Sequence, residues 1–321
     1  MTVATGQSIQ TLAAVGRAEV VRALAGDGLW IDIGAAMLRV QSNSNRFAMQ
    51  LQTAYGQFPF IDRADWADLH VQIRGAAGVR RWLRPQVILH CDGQQPFDPF
   101  PSDSPLPLFE WGCNWLIGRR LNDLLLLHAG AVEKDGLALL LPALPGSGKS
   151  TLTAALSQRG WRLLSDEFGA FDPESGTFRA VLKPIALKNQ SIAVIRRFAP
   201  EAVFGPEFPK TRKGTVAHLA PQNAAVARRH ESARPGAVVL PKWEAGSQTR
   251  WEPLAENVLF PALAFNAFNY SLLGAVGFTS VVRLVRQCPA WQLVYSDLDD
   301  ALATIDAAWP QVIAHHQAAL L

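Results

Sequence analysis

The chain has 321 residues, of which 49% are hydrophobic and 18% are charged, and its formal net charge is +3 at pH 7. This composition excludes a disordered chain, and the length is sufficient for two domains with substantial cores. A net charge this small does not favour nucleic-acid binding, so we expect no nucleic-acid partner.

The sequence also argues against a membrane protein and a disulfide-rich protein. No apolar stretch approaches the roughly 20 residues that a membrane span requires, and the N-terminal residues lack the layout of a signal peptide. We therefore expect a cytoplasmic protein without a membrane partner. The cysteines lie far apart and are expected to be reduced thiols: Cys91, Cys113 and Cys288.

The N-terminal part of the chain shows the pattern of β-strands. Apolar side chains alternate with polar or small ones over 28–40 and 69–74, which predicts half-buried strands. A proline-rich stretch over 94–108 then predicts irregular structure, because proline lacks a backbone N–H. A domain boundary placed there gives a β-rich N-terminal domain over 1–105 and a second domain over 106–321.

The second domain opens with a predicted helix followed by a hairpin. Helical periodicity covers 109–121, and its aromatic residues are interpreted as core anchors. Apolar runs over 124–131 and 137–141 flank an Asp-Gly turn within 133–136, which is typical of a β-hairpin.

The second hairpin strand leads into a glycine-rich loop, Ala143-Leu-Pro-Gly-Ser-Gly-Lys-Ser150. Glycines allow backbone N–H groups to turn toward phosphate oxygens, a helix N-terminus adds positive potential, and a lysine reaches the terminal phosphates. The alternative is a strand-to-helix turn with an incidental lysine. The phosphate-loop interpretation predicts a bound nucleoside triphosphate, held by Pro145, Gly146, Ser147, Gly148, Lys149, Ser150 and Thr151.

An acid pair follows the next predicted strand. A helix of about ten residues, ending at Gly160, is long enough for a crossover to a parallel strand over 161–165. That return would place Asp166 beside the loop, and Mg²⁺ on a triphosphate needs a hard oxygen ligand besides the Ser150 hydroxyl. Asp166 and Glu167 are the candidate ligands with Ser150; the alternative is a surface turn with two acids.

Other polar residues leave two interpretations open. His128 lies in the first hairpin strand, where it is either a core histidine or a group that reaches the terminal phosphate. Three basic residues, Lys188, Arg212 and Lys213, either neutralise charge on a transferred phosphoryl group or belong to a solvated surface.

The C-terminal third ends in a predicted strand over 291–295 and a helix. Acids at the start of that helix are interpreted as helix caps and not as a site: Asp297, Asp299 and Asp300.

Four elements together, His128-Ala-Gly130, the loop, Arg159-Gly160 and Asp166-Glu167, resemble the catalytic domain of HPr kinase/phosphorylase. That bacterial serine kinase shares its phosphate-loop fold with phosphoenolpyruvate carboxykinase. The match is specific over 124–172. Further along, the lysine-containing stretches look like the group called HprK-related kinase A.

The resemblance implies an α/β fold, with a phosphoenolpyruvate-carboxykinase-like phosphate-loop domain behind the β-rich N-terminal domain. It implies an ATP-dependent kinase that uses Mg²⁺ and phosphorylates a hydroxyl, most simply a serine, of a peptide or small protein. Asp166 would be the general base, Lys149 would bind the β- and γ-phosphates, and Ser150 and Glu167 would serve Mg²⁺. Members of the family assemble as homo-oligomers, which is expected here too.

The sequence departs from the family pattern in three ways. Ala143 replaces the first loop glycine, Glu167 replaces the second aspartate, and the Glu-Ile-Arg-Gly stretch of the phosphorylase side has no counterpart. Two other functions therefore stay open: a phosphate-loop ATPase or switch without a phosphoacceptor, and a nucleotide-sensing module without turnover.

Overall fold

The structure is a computed structural model that describes residues 10–76, 83–144 and 146–318. These residues form a mixed α/β protein with three sheets. One hydrophobic core runs through all of them, from Leu12 in the N-terminal part to Val312 near the C-terminus. No helix in the described part of the chain combines the length and the apolar character needed to cross a bilayer.

The first sheet has the order β1-β2-β3-β4-β5, with β2 and β3 parallel and the other neighbours antiparallel. Its strands are β1 (Leu29–Asp32), β2 (Met37–Ser42), β3 (Leu69–Gly75), β4 (Gln86–Cys91) and β5 (Phe100–Pro101).

The strand pattern predicted over 28–40 covers two strands, because β1 and β2 form a hairpin within it. The chain reverses at Gly34, whose φ of 96° favours glycine, and Asp32 Oδ1 accepts a hydrogen bond from the Gly34 N–H at 3.0 Å. The alternating pattern continues across this tight turn, so periodicity alone does not reveal it.

Three helices accompany this sheet: α1 (Arg17–Ala25), α2 (Asn45–Ala54) and α3 (Pro105–Arg120). The irregular structure predicted through residue 108 is corrected, because α3 begins at Pro105. Proline is tolerated in the first turn of a helix, where its missing N–H has no partner to lose. The Phe109 ring lies 5.3 Å from the Phe47 ring of α2, so α3 shares the core of the first sheet. The domain division at residue 105 stays a prediction.

The second sheet has the order β10-β9-β6-β7-β14-β16-β15, and β8 also pairs with β6. The predicted hairpin is confirmed as the antiparallel pair β6/β7, whereas β7, β14 and β16 are parallel neighbours. Their carboxyl ends therefore meet at one edge of the sheet. The strands are β6 (Leu125–Lys134), β7 (Leu137–Pro142), β8 (Arg162–Ser165), β9 (Phe168–Asp172), β10 (Thr177–Arg179), β14 (Arg234–Trp243), β15 (Arg250–Pro253) and β16 (Ala290–Tyr295).

Helix α4 (Lys149–Gln158) connects β7 to β8. The strand β8 runs in the same direction as β7, as predicted, but the two are not direct neighbours. Both pair antiparallel with β6, which lies between them. The helix ends as predicted near Gly160, which has a φ of 92°.

A third sheet, β11-β13-β12, and the remaining helices complete the described chain. They are β11 (Ile185–Lys188), β12 (Phe208–Thr211), β13 (Gly214–Leu219), α5 (Gln190–Phe198), α6 (Asn223–Ala227), α7 (Glu256–Phe265), α8 (Tyr270–Leu273), α9 (Ala275–Gln287) and α10 (Leu298–Ala318).

Candidate functional site

A cavity of about 1060 Å³ opens at the carboxyl ends of the parallel strands. The loop between β7 and α4 forms one wall, α5 and the third sheet form a second, and the ends of β14 and β16 form a third. Ligands of open α/β sheets bind at this position, and the volume suits a molecule of nucleotide size.

The phosphate-loop sequence forms a loop with the backbone that this motif needs. Gly146 and Gly148 have φ values of 88° and 90°, and Gly148 is the N-cap of α4. A Cβ on Gly146 would meet no atom within 4 Å, so the loop is open on that side. The first backbone N–H groups of α4 have no partners within the helix, which leaves them available to an anion. Pro145 lies outside the described residues.

Two strand ends hold the loop in place. The Trp243 N–H donates to the Ser147 carbonyl at 2.8 Å, and the Tyr295 hydroxyl donates to the Gly148 carbonyl at 3.2 Å. A Cβ on Gly148 would lie 2.6 Å from the Tyr295 hydroxyl oxygen and 3.0 Å from Trp243 Cβ, so only glycine fits this approach. These contacts hold the Ser147 and Gly148 carbonyls against the ends of β14 and β16.

Asp166 lies beside the loop, as predicted, and is in contact with Lys149. Lys149 Nζ donates to the Asp166 carbonyl, and it lies 3.3 Å from Asp166 Oδ1. Both side chains are buried, and Asp166 Oδ2 has no hydrogen-bond partner although it is inaccessible to solvent. A buried carboxylate oxygen without a partner is energetically unfavourable, so Asp166 Oδ2 is an unsatisfied acceptor beside Lys149.

Asp166 and Glu167 occupy a break between β8 and β9, which both pair with β6. The Ser165 hydroxyl accepts from the backbone N–H groups of Glu167 and Phe168 at 3.3 and 3.1 Å, which stabilises the break. The strand ladder therefore does not simply end at the acid pair, as the sequence suggested. The break places the two acids between β8 and β9, outside the regular strand pairing. Irregular strand positions often have this role near functional sites.

Glu167 faces the cavity and pairs with His128. His128 Nε2 lies 3.3 Å from Glu167 Oε2, and both side chains line the cavity. Burial by itself would raise the pKa of Glu167, but the hydrogen bond from His128 and the positive charge of Lys149 together hold it well below its usual value. Glu167 is therefore an ionised carboxylate, and His128 lies at the site and not in the core.

The basic candidates separate into two groups. Lys188 and Lys213 line the cavity, and burial together with the neighbouring charge of Lys213 lowers the pKa of Lys188. Arg212 does not line it: its guanidinium lies 5.9 Å from the centroid of the Trp111 ring and 3.9 Å from Asp98. The placement of Arg212 at the phosphates is therefore corrected. The chain turns it outward between Thr211 and Lys213.

Lys183 also lies away from the cavity. Its ammonium donates to Glu110 Oε2 at 2.9 Å and to Asn114 Oδ1 at 2.6 Å. These contacts join α3 to the segment before β11, so Lys183 is a structural residue.

The oxygen donors at the site suit Mg²⁺ that is also held by phosphate oxygens. Within the described ranges, no group of three or more His, Cys, Asp or Glu residues is arranged to hold a metal by itself. Glu167 and Ser150 line the cavity and supply hard oxygen ligands, whereas Asp166 does not line it and would reach an ion only after its side chain moves, because its Oδ2 is inaccessible to solvent. Mg²⁺ in phosphoryl-transfer sites takes one or two carboxylates and completes its shell with water and phosphate, so these residues fit that ion.

Several cavity residues were missed by the sequence analysis. Trp243, Tyr295 and Ser191 belong to the cavity or its support, and Thr151 Oγ1 donates to Ser191 Oγ at 2.9 Å. Each follows or ends a strand that reaches the site from far along the chain. No local sequence motif marks Trp243 or Tyr295, since only the order of the strands brings them to the cavity. Asp297 caps α10 as predicted, since its Oδ1 accepts from the Asp300 N–H at 3.1 Å, but it also lines the cavity.

Comparison with models of protein families finds no match to the chain, and comparison with curated proteins finds none either. The functional assignment therefore depends on the geometry of this cavity.

Proposed function

We propose that the chain is an ATP-dependent kinase related to HPr kinase, which transfers the γ-phosphate to a hydroxyl, most simply serine, of a peptide or small protein. One observation carries the proposal: Lys149, Ser150, Glu167 and His128 converge on one cavity, with Asp166 in contact with Lys149. A nucleotide site needs the lysine and the serine, and phosphorylation of a hydroxyl also needs a general base beside them.

The fold proposed with this function is the phosphate-loop type of phosphoenolpyruvate carboxykinase. The unit β7–loop–α4, the parallel strands β14 and β16, and the acid pair beside β6 support it. The N-terminal domain, proposed over 1–105, would recognise the acceptor.

In the first step of the proposed reaction, Lys149 releases Asp166 and binds the β- and γ-phosphate oxygens. That exchange frees the Asp166 carboxylate to accept the proton of the acceptor hydroxyl. The hydroxyl oxygen then bonds to the γ-phosphorus, the bond from that phosphorus to the bridging oxygen breaks, and ADP leaves with the electron pair. Lys188 and Lys213 stabilise the charge on the transferred group. Mg²⁺, when bound through Ser150 and Glu167, neutralises phosphate charge.

A second function, an ATPase or switch without an acceptor, is favoured by one observation. Glu167 lines the cavity and Asp166 does not, so Glu167 is the acid that lies next to a water molecule entering the cavity. The two functions assign the base to different acids.

Comparison of Asp166→Asn with Glu167→Gln separates these functions. Both substitutions preserve side-chain shape, and the assay measures ADP and phosphopeptide with ATP, Mg²⁺ and peptides encoded beside the gene. The kinase proposal expects phosphopeptide from the wild type and the larger loss of transfer in Asp166→Asn, about 10²-fold or more for removal of a general base. ADP formation without phosphopeptide, together with ATP trapped by Glu167→Gln, would establish the ATPase instead.

A further inference from the structure

The cavity extends beyond the phosphate loop along the sheet edge to the ends of β14 and β16. Parallel strands β7, β14 and β16 lie side by side, so the loop after β7 and the residues that end β14 and β16 form one continuous wall. A triphosphate occupies only the loop. The rest of a nucleotide must lie against a neighbouring part of the cavity.

Trp243, the last residue of β14, lines this neighbouring part, and one hydrogen bond holds its backbone while another holds its indole. Its backbone N–H donates to Ser147 in the loop, and Nε1 donates to the Ser296 carbonyl at 3.2 Å. Even so, 48% of the residue is exposed. Among the described residues, no aromatic ring and no cation lies against the indole. The side chain thus offers an exposed aromatic surface that no ring or cation of the described residues covers.

The other Phe and Tyr side chains of the cavity do not offer such a face, since Tyr295 is only 1% exposed. The Phe198 ring is covered by the Arg159 guanidinium, which lies 4.5 Å from its centroid. A planar ligand that enters the cavity therefore finds its free aromatic surface at Trp243.

We propose that Trp243 forms the nucleoside subsite of the cavity, on which the purine base of the bound nucleotide stacks while the loop holds its phosphates. The inference depends on the proposed nucleotide-binding function. A base stacks its flat face on an aromatic side chain regardless of the hydrogen-bonding groups on its edge. The subsite therefore selects nucleotides over plain polyphosphates without selecting one purine.

The test compares two ligands, ATP and inorganic tripolyphosphate, by titration calorimetry with Mg²⁺ at fixed ionic strength. In Trp243→Ala, ATP binding weakens by about tenfold, within the range of a single base–aromatic stack, whereas tripolyphosphate binding is unchanged. Trp243→Phe retains most of the ATP affinity. Trp66→Ala is the matched control, because Trp66 is 51% exposed and lies outside the cavity.

Two results would overturn the subsite. One is ATP affinity in Trp243→Ala equal to that of the wild type, and the other is an equal loss for both ligands, which would show that Trp243 acts only on the loop. A wild type that binds neither ligand would overturn the proposed nucleotide-binding function with it.

A second measurement does not depend on the folding of Trp243→Ala. In the wild type, ATP quenches tryptophan fluorescence and tripolyphosphate does not, and Trp243→Phe loses this quenching. Equal quenching by ATP in the wild type and in Trp243→Phe would contradict the subsite.

Discussion

Lys149 illustrates how one side chain links the sequence motif to the site. It is buried and bound to Asp166, so the lysine of the glycine-rich loop also holds the acid pair in place. In this protein the loop and the acid pair form one unit. Their chemistry follows from contacts between residues 17 positions apart.

The buried side chain of His218 is expected to make the stability of the fold depend on pH. Burial lowers its pKa to about 4 from a usual value of 6.5, with Lys183 lowering it further and Glu110 opposing. As the pH falls, the His218 imidazole therefore binds a proton in the unfolded chain at a higher pH than in the folded chain. The contribution is fully present above pH 6.5 and is lost as the pH falls toward 4, by roughly 2 kcal/mol between pH 7 and pH 5.

Urea unfolding of the wild type and His218→Leu at both pH values measures this effect. We expect the loss of stability on acidification to be smaller in the variant, because the variant has no imidazole to protonate. An identical loss in the two proteins would assign the acid sensitivity to other groups.

At the scale of elements, the packing of β6 on α4 depends on one glycine. A Cβ on Gly130 would lie 2.2 Å from Thr153 Oγ1, a contact that real structures do not tolerate. We expect Gly130→Ala to destabilise the fold by about 1–3 kcal/mol through overpacking, measured by chemical denaturation.

Two further variants test this explanation. Gly130→Ala should be less costly in a Thr153→Ala background, because the clashing hydroxyl is gone. Gly118→Ala in α3, where a Cβ meets no atom within 4 Å, should stabilise the protein by about 0.5–1 kcal/mol. An equal cost of Gly130→Ala in both backgrounds would refute the clash.

The strand–loop–helix unit could be predicted from the sequence, because its signals are local. An Asp-Gly turn, an apolar run and a glycine-rich loop each act within a few residues. The hairpin at Gly34 and the break at Asp166 were not predictable, because alternation continues through a tight turn and apolar residues resume after the acids. Trp243 and Tyr295 reach the cavity only through strand order, which no local pattern encodes.

At the scale of the whole molecule, a buried polar cluster joins α3, which packs on the first sheet, to the segment that leads into the cavity wall. Glu110 on α3 accepts from the Tyr55 hydroxyl at 2.6 Å and from the Lys183 ammonium at 2.9 Å. Lys183 comes two residues before β11, which carries Lys188 into the cavity. The two parts of the chain are thus held in register by charge as well as by apolar packing.

Lys183→Met should destabilise the protein by about 3–5 kcal/mol, since it leaves Glu110 charged and buried without its partner. Arg196→Met is the control, because the Arg196–Glu207 pair is exposed and should contribute less than about 1 kcal/mol. Denaturation curves measure both. Similar losses of stability in the two variants would show that the buried cluster stabilises the fold no more than an exposed ion pair does.

The most direct test of the central claim is mass spectrometry of acceptor peptides incubated with ATP, Mg²⁺ and either the wild type or Lys149→Ala. The proposed kinase predicts a phosphorylated serine with the wild type and none with Lys149→Ala, while the variant remains folded. A wild type that binds ATP but leaves every acceptor peptide unmodified, or a variant that phosphorylates as well as the wild type, would contradict phosphoryl transfer at this cavity.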